Sequence, residues 1–321
     1  MFHNLDNLLI HIGYHKTGST WLQKQLFTSG NEVFEPLSMA NKGHSTLAKH
    51  FIYDAEDYLL SPFDYNEEAI RNALSKILNA NEKVRSKIPV LSHERLSGNP
   101  HSGGFDSVKI ALMLKRIFPK ARILIVIREQ KSFILSNYFQ YLSIGGLCGI
   151  EKYLDTKYDG RRPFFSPSFI DFVPLVSKYH DLYGEQNVLV LPYELFKLHP
   201  QEFITSIERF LSLNININSI TFDIFLNKKK DHFLMHGLRF TNLFRRSTSV
   251  NNYSWLCNCC TMIVAEAGLN ILGKVVPDRL NRITTERLKR IIYKWTGTRY
   301  LKSNQMLSKI IGIDLSEYGY F

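Results

Sequence analysis

The sequence is short of cysteine, glycine and proline, and it contains no long apolar run. Its 321 residues include 4 cysteines, 18 glycines and 11 prolines, with 45% hydrophobic and 21% charged residues. This composition excludes fibrous and disordered chains and is typical of a folded globular protein. No window approaches the roughly 18 to 20 apolar residues of a membrane-spanning helix, and the opening MFHNLDN has no signal-peptide pattern. We therefore predict a cytoplasmic protein without a transmembrane segment.

The four cysteines predict neither a zinc site nor a disulfide framework. Cys148 stands alone, while Cys257, Cys259 and Cys260 form CNCC, which lacks the spacing and the second pair of a zinc knuckle. Disulfide frameworks are typical of shorter, secreted chains. We expect reduced thiols, a reducing compartment and no metal at these positions.

Acidic residues are scarce relative to basic ones. The chain has 40 basic and 29 acidic residues, a formal charge of +11 and a pI near 9.4. This excess favours an anionic partner, whether nucleic acid, an acidic membrane surface, a polyanionic glycan or a nucleotide. A nucleic-acid arm would concentrate its basic residues, but here they are spread, with short clusters only at Lys228–Lys230, Arg245–Arg246 and Arg282–Arg290. The distribution argues against nucleic acid and leaves peripheral contact with a membrane open.

Apolar runs alternate with helical patterns over the first two thirds of the chain. The runs that predict buried strands are LLIHI, KIPVLSHE, ARILIVIRE and NVLVLPYE. Helices are predicted from Ser19, over 67–79, 105–118, 130–143 and 169–183, and after Pro200. This alternation predicts an α/β fold with a central parallel β-sheet flanked by helices.

The remaining segments are less regular. Residues 28–64 carry no clear pattern, and the basic region from about 213 to 321 predicts a helical C-terminal extension. We interpret residues 1–321 as a single domain with its core at about 8–212.

The first predicted strand leads into a turn that resembles a phosphate-binding loop. Gly13 and Gly18 are separated by four residues, as in the nucleoside-triphosphate loop, where lysine and then Ser or Thr follow the second glycine. Here Ser19 and Thr20 follow it, and the lysine, Lys16, stands inside the loop. The backbone N–H groups of such a turn bind an anion, but the clamp on the β- and γ-phosphates is missing.

We infer a ligand with a shorter anhydride, whose terminal group lies beside Lys16. The ligand needs no metal, because no apolar strand ends in an aspartate that would hold magnesium opposite the loop. The alternative is an ordinary strand-to-helix turn with a solvated lysine.

A second set of residues follows the strand ARILIVIRE. Arg128 ends this strand, and Ser136 lies eight residues further, two turns into the next helix. A guanidinium and a hydroxyl so placed can hold one phosphate; the alternative is a salt-bridged arginine and a surface serine. Gly13, Glu94 and Arg128 all stand at the ends of predicted strands, where open parallel sheets bind ligands. The sequence therefore predicts a single site at this edge of the sheet.

Two stretches, YHKTGSTWLQ and IREQKSFILSNYFQYL, resemble the signature regions of the sulfotransferases that use 3′-phosphoadenosine-5′-phosphosulfate (PAPS). LSHERLSGNPHSGGFDS and the closing SNQMLSKIIGIDLSEYGYF are similar to bacterial members of that family. The resemblance covers most of 8–212 and the C-terminal tail. It implies an α/β fold of the P-loop-containing nucleotide-binding type and sulfuryl transfer to a hydroxyl. The basic surface suits a carbohydrate or glycolipid acceptor that is already acidic.

The resemblance also implies roles for individual residues. Lys16 would contact the oxygen that bridges phosphorus and sulfur and neutralise the charge that develops there. Arg128 and Ser136 would bind the 3′-phosphate, although Glu129–Gln130 stands where many relatives carry a proline, which weakens the geometry of the turn. Independently of the resemblance, Trp21 is a candidate for stacking on adenine or a sugar ring, with packing in the core as the alternative. The 5′-phosphosulfate would be cradled by Thr17, Gly18, Ser19 and Thr20.

An acceptor hydroxyl needs a general base within hydrogen-bond reach. His93 and Glu94 end the neighbouring strand, and branches of the family use either residue type. Strand alternation would place the two side chains on opposite faces. We favour Glu94, which stands nearer the turn, and keep His93 as the alternative.

Two other functions remain open at the level of sequence. One is an ATP- and magnesium-dependent phosphotransferase, disfavoured by the positions of Lys16 and Ser19. The other is a non-catalytic protein that binds a nucleotide or a glycan.

Overall fold

The computed structural model describes most of the chain. The described residues are 5–38, 45–53, 60–61, 63, 65–155, 165–213, 215, 220, 222, 232–244, 250 and 277–321. The predictions on Cys257, Cys259 and Cys260 and on the clusters Lys228–Lys230 and Arg245–Arg246 lie outside this part of the chain.

A five-stranded parallel sheet forms the centre of the molecule. Its strands are β1 (Leu9–Gly13), β2 (Phe34–Pro36), β3 (Ile88–Ser92), β4 (Arg122–Ile127) and β5 (Val188–Pro192). The order across the sheet is β2-β3-β1-β4-β5, and all neighbours are parallel. In chain order, β2 and β3 therefore lie on one side of β1, and β4 and β5 follow on the other side. In open parallel sheets, such a reversal places a binding crevice at the carboxyl ends of the central strands.

Helices cover both faces of this sheet. The α-helices are α1 (Ser19–Trp21), α2 (Ser45–Ala48), α3 (Glu67–Ala80), α4 (Ser107–Ile117), α5 (Gln130–Ser143), α6 (Ile150–Leu154), α7 (Phe172–Tyr183), α8 (Tyr193–Leu198), α9 (Pro200–Leu211), α10 (His232–Thr241), α11 (Asp278–Thr296) and α12 (Leu301–Ile311). Helix α1 continues directly as a π-helical segment, Leu22–Leu26.

The apolar side chains of strand β4 belong alternately to two apolar clusters, one on each face of the sheet. Ile123, Ile125 and Ile127 lie in the apolar cluster that includes α3, α4, α5 and α7. Leu124 and Val126 lie in the second cluster, with α8 and α9 on the other face. Because both faces of β4 are buried, its sequence is an unbroken apolar run without alternation.

These elements confirm the predicted α/β fold. The four predicted strands correspond to β1, β3, β4 and β5, and the helix predicted over 130–143 is α5. The prediction missed β2 inside the unassigned segment 28–64. This edge strand has only three residues and carries the buried Glu35, so no apolar periodicity marks it.

The described C-terminal residues are helical, as predicted, and they pack on the main core. Leu288 and Ile292 of α11 and Leu307 of α12 belong to the same apolar cluster as α5 and α7. Tyr300 Oη donates a hydrogen bond to the Pro167 carbonyl at 3.1 Å. No helix in the described part of the chain has both the length and the apolar character needed to cross a membrane.

Candidate functional site

The parallel sheet brings the three predicted strand ends together. Strand β1 lies between β3 and β4, so the segments that follow Gly13, Ser92 and Ile127 leave the sheet at one edge. Ser97 Oγ donates to the Gly13 carbonyl at 3.4 Å and to the Glu94 carbonyl at 2.8 Å. On the other side, Arg128 Nη1 donates to the Lys16 carbonyl at 2.8 Å. The loop is therefore held between the Glu94 segment and the Arg128 turn.

The loop backbone contains two residues with positive φ. Gly18 has φ 83° and precedes α1, and Lys16 has φ 65°, a left-handed conformation that is rare for a side-chain-bearing residue. Strain of this kind persists only where the surroundings enforce it, and it is frequent at ligand sites. A methyl group on Gly18 would also approach the Tyr193 ring at 3.0 Å. Glycine is therefore required at position 18 for both reasons.

The side chains of the loop fall into two groups. Thr17 and Ser19 are buried, and the Thr17 hydroxyl donates to the Tyr14 carbonyl. Ser19 Oγ is buried without a hydrogen-bond partner in the described structure. Lys16 and Thr20 are exposed. A buried hydroxyl without a partner, beside a turn of backbone N–H groups, fits a site that accepts the oxygen atoms of an anionic ligand.

Trp21 lies in the core rather than on the open side of the loop. Its ring is 6% exposed and packs against Phe196 at 4.5 Å and Phe222 at 5.9 Å between ring centroids. Little of the ring surface is left for a nucleotide base. Its role in donor binding stays a prediction.

Arg128 links the loop to helix α5 and to α8. Its Nε donates to Ser132 Oγ at 3.0 Å, and its guanidinium lies 5.4 Å from the centroid of the Tyr193 ring. Ser136, the predicted partner, is half-buried and makes no hydrogen bond within the described residues. Ser132 and Tyr193 are thus additional residues of this site. One helical turn separates Ser132 from Ser136, so a spacing argument alone could not prefer either hydroxyl.

The residues at the expected proline position support the Arg128 turn. Glu129 caps α5, its carboxylate accepting from the Lys131 and Ser132 backbone N–H groups at 2.9 Å each. Gln130 is buried and donates to Asn304 Oδ1 of α12 at 2.7 Å. A helix cap and a buried amide pair therefore stand where many relatives carry a proline, and whether the turn is weaker for phosphate binding stays a prediction.

A carboxylate that the sequence did not single out ties the C-terminus to the same turn. Glu194 accepts from the Glu129 backbone N–H at 3.3 Å and from Tyr320 Oη at 2.9 Å. Burial raises the pKa of Glu194 above its usual value. Tyr320 is the penultimate residue and is buried. The last residues of the chain therefore form part of the support behind Arg128.

The structure separates the two candidate bases by their hydrogen bonds. Strand β3 ends at Ser92, so strand alternation does not extend to Glu94, which begins the 3-10 helix Glu94–Ser97. His93 caps that helix, its Nδ1 accepting from the Arg95 backbone N–H at 3.1 Å. Burial lowers the pKa of His93, with a smaller opposing effect from Glu94. The Glu94 side chain is 41% exposed, and its Oε2 lies 4.0 Å from His93 Nδ1.

Three further basic side chains, not singled out from the sequence, lie around Lys16. Arg95 is 7% exposed and pairs with Asp106 Oδ2 at 3.1 Å, but its Nη1 has no partner among the described residues. Nδ1 of His15 and both ring nitrogens of His101 are likewise buried and unpaired within that part of the chain. Burial, and then the charge of Arg95, lowers the pKa of both histidines, that of His101 to about 3. Both rings are therefore neutral at pH 7, beside the charges of Arg95 and Lys16.

We expect the free energy of unfolding to fall as the pH is lowered from 7. The native pKa of His101, about 3, is below the unfolded value of about 6.5, so the unfolded chain binds more protons between these two values. Stability from this residue is complete above pH 6.5 and is lost progressively below it. At pH 5.5 the loss amounts to about 1.4 kcal/mol. Urea unfolding at pH 7.0 and 5.5 measures it.

The matched variants are His101→Gln and His199→Gln, since His199 is an exposed histidine. His101→Gln should reduce the difference between the two pH values, and His199→Gln should leave it unchanged. An unchanged difference in His101→Gln would show that the native pKa of His101 is not lowered relative to the unfolded chain.

Comparisons with known proteins identify the family. The model of the sulfotransferase domain matches residues 6–249. A solved sulfotransferase from Alicyclobacillus acidocaldarius is 16% identical to this chain, and the alignment covers 73% of this chain and 93% of that one with a TM-score of 0.46. None of the curated proteins matches the chain. The family match spans the loop, the Glu94 segment and the Arg128 turn, and the chain therefore belongs to the sulfotransferase-domain family and is an enzyme of sulfuryl transfer.

Proposed function

We propose that this enzyme transfers the sulfuryl group of PAPS to a hydroxyl of an acidic carbohydrate or glycolipid. One observation supports the donor assignment. Lys16 lies inside the glycine-flanked loop, and its backbone carbonyl accepts a hydrogen bond from Arg128. A donor that carries negative groups at both the 5′ and the 3′ positions of its ribose suits these two cations. When bound, the donor supplies the activated sulfuryl group.

The loop residues would hold the 5′-phosphosulfate. The backbone N–H groups around Gly18, the unpaired Ser19 hydroxyl and the Thr20 hydroxyl are the donors, and Thr17 holds the turn through Tyr14. Lys16 would place its ammonium at the oxygen that leaves the sulfur, where charge develops. Arg128, with Ser136 or Ser132, would bind the 3′-phosphate.

We assign the general base to Glu94. His93 Nδ1 accepts a backbone N–H, so the neutral ring carries its proton on Nε2 and has no free lone pair for an acceptor hydroxyl. Among the described residues, the Glu94 carboxylate has only the 4.0 Å contact with His93, and its side chain is 41% exposed beside the loop. A carboxylate can take the acceptor proton while the hydroxyl oxygen bonds to sulfur.

The acceptor class follows from charge. The formal charge of +11 and the positive charges of Lys16, Arg95 and Arg128 at this edge of the sheet favour an acceptor that already carries negative groups. The single-domain organisation and the cytoplasmic location are part of the proposal. The buried pairs Gln130–Asn304 and Glu194–Tyr320 support one unit, because they join the strand-end turn to the C-terminal helices.

The first experiment is thermal unfolding with adenosine 3′,5′-bisphosphate, the desulfated product, and with ATP, each with magnesium or with EDTA. At about 100 times the dissociation constant, a ligand adds roughly 2.7 kcal/mol. We expect the bisphosphate to raise the midpoint by about 5 °C in EDTA. Adenosine 5′-monophosphate should stabilise wild type much less, because it lacks the 3′-phosphate. Arg128→Gln should remove most of the difference between these two ligands.

Stabilisation by ATP with magnesium alone would replace the proposal with the phosphotransferase function. Stabilisation by the bisphosphate without turnover on any acceptor would indicate the non-catalytic binding protein.

A further inference from the structure

A cavity of about 300 Å³ lies away from the loop, between α10, α11 and the start of α6. Its volume is at the lower end of the range of small-molecule sites, about 300 to 1,000 Å³. The lining is mainly apolar and comprises Ile150, Phe233, Ile283, Leu288 and Ile291, with Gly149, Thr284, Glu151, Arg239 and Arg287. The wall formed by α11 lies beyond residue 249, where the family match ends. The cavity thus joins the family domain to a helix that is outside it.

The outer surface of α11 beside this cavity is cationic. Arg279, Arg287, Arg290 and Lys294 follow one another at helical spacing, with Ile283 between the first two, and we call these four cations the cationic stripe. All four are exposed, and none has an ion-pair partner in the part of the chain that the structure describes. Asp278 is the first residue of α11, and Glu286, which stands four residues before Arg290, is paired with Lys289 at 2.9 Å.

Exposed apolar side chains lie next to these charges. Ile283 is 54% exposed and Leu280 is 40% exposed, and Phe233 at the cavity is also 40% exposed. The cavity combines five apolar side chains with the two cations Arg239 and Arg287. A helix with a basic face, exposed aliphatic residues and an apolar cavity beside it matches an amphiphile with an anionic head.

We propose that the cavity and the cationic stripe bind an acidic phospholipid at the surface of an anionic bilayer. The apolar lining accepts part of an acyl chain. Arg287 and Arg239, which both line the cavity, would pair with the phosphate group, Arg239 through the guanidinium nitrogens that remain beside its Nε bond to the Leu147 carbonyl. Arg279, Arg290 and Lys294 contact neighbouring headgroups. This site is independent of the proposed donor and acceptor.

Flotation with vesicles tests the proposal on the full chain. Vesicles of phosphatidylcholine with 30% phosphatidylglycerol are compared with vesicles of phosphatidylcholine alone at about 0.1 M salt. We expect binding to the anionic vesicles only, weakened by added salt. Arg287→Gln/Arg290→Gln removes two charges of the stripe and should weaken binding about 30-fold.

The matched control is Arg282→Gln/Lys289→Gln, which removes two charges from the other flank of the same exposed helix. It should weaken binding less than about threefold. Ile283→Ser, which leaves every charge in place, should weaken vesicle binding severalfold. Circular dichroism checks that the variants remain folded, as expected for exposed positions.

Three outcomes would overturn the proposal. They are the absence of binding to anionic vesicles, an equal loss in the stripe and control variants, and binding to a sulfated polysaccharide without binding to vesicles. Lys16→Ala should bind vesicles as wild type does, so a failure of the donor proposal would not affect this result.

Discussion

Lys16→Ala is expected to lower the turnover of donor-dependent sulfation by about 100- to 1,000-fold, as does the loss of one preorganised donor at a developing oxyanion. In the proposed donor complex the Lys16 ammonium neutralises the leaving oxygen, and no other lysine is present between Gly13 and Gly18. Because Lys16 is exposed, the substitution removes charge without opening a core cavity. The assay follows transfer from ³⁵S-labelled donor to a pool of glycolipids and desulfated polysaccharides.

Lys24→Ala is the matched control, since Lys24 is an exposed lysine on the segment that follows the same loop. It should retain wild-type turnover. Stabilisation by adenosine 3′,5′-bisphosphate should persist in Lys16→Ala, because Arg128 and the loop backbone remain. Turnover of Lys16→Ala within tenfold of wild type would contradict the role of Lys16 at the bridging oxygen.

Glu94→Gln should lower turnover by about 100-fold or more while donor binding is unchanged. The amide has the shape of the carboxylate but cannot take a proton, and general bases contribute about 100- to 10,000-fold. The Glu94 backbone remains fixed by Ser97 Oγ at 2.8 Å, so the loop contact with Gly13 is preserved. The bisphosphate should raise the unfolding midpoint of this variant as much as that of wild type.

His93→Gln separates the two candidates. Its loss should be smaller than that of Glu94→Gln, because His93 acts here as the cap of the 3-10 helix through Nδ1. A large loss in His93→Gln together with full activity in Glu94→Gln would reverse the assignment. In that case the His93 ring would have to rotate and release its bond to the Arg95 backbone N–H before it could accept a proton.

Local sequence patterns were sufficient to predict much of the architecture. The run RILIVI predicted β4, and the helix predicted over 130–143 is α5 with the same bounds. An uninterrupted apolar run and a strong helical period are properties of neighbouring residues, and these two elements needed no distant partner to be recognised. Strand β2 has three residues, Phe34–Pro36, and exists because β3 offers it a hydrogen-bonding edge. The three residues of β2 carry no sequence pattern that would predict a strand.

Some features of the site could also be predicted from the sequence, and others are visible only in the structure. The position of Lys16 in the loop and of Arg128 at a strand end followed from spacing, and parallel strands bring such ends to one edge of a sheet. The choice of Ser132 as the hydroxyl that Arg128 meets depends on side-chain direction in α5. The tautomer of His93 depends on a backbone N–H two residues away. Neither contact has a signature in the sequence.

By itself, the sequence determined the parallel α/β fold, the position of the glycine-flanked loop after β1 and the family, because periodicity and motif spacing are local properties. Only the tertiary structure decided what supports the site: the hydrogen bonds Gln130–Asn304 and Tyr320–Glu194, and the burial of Arg95 and His101 near Lys16. The two residues of each hydrogen-bonded pair are more than 100 positions apart in the sequence. Contacts of that kind follow from how helices pack on the sheet and not from any neighbouring residue.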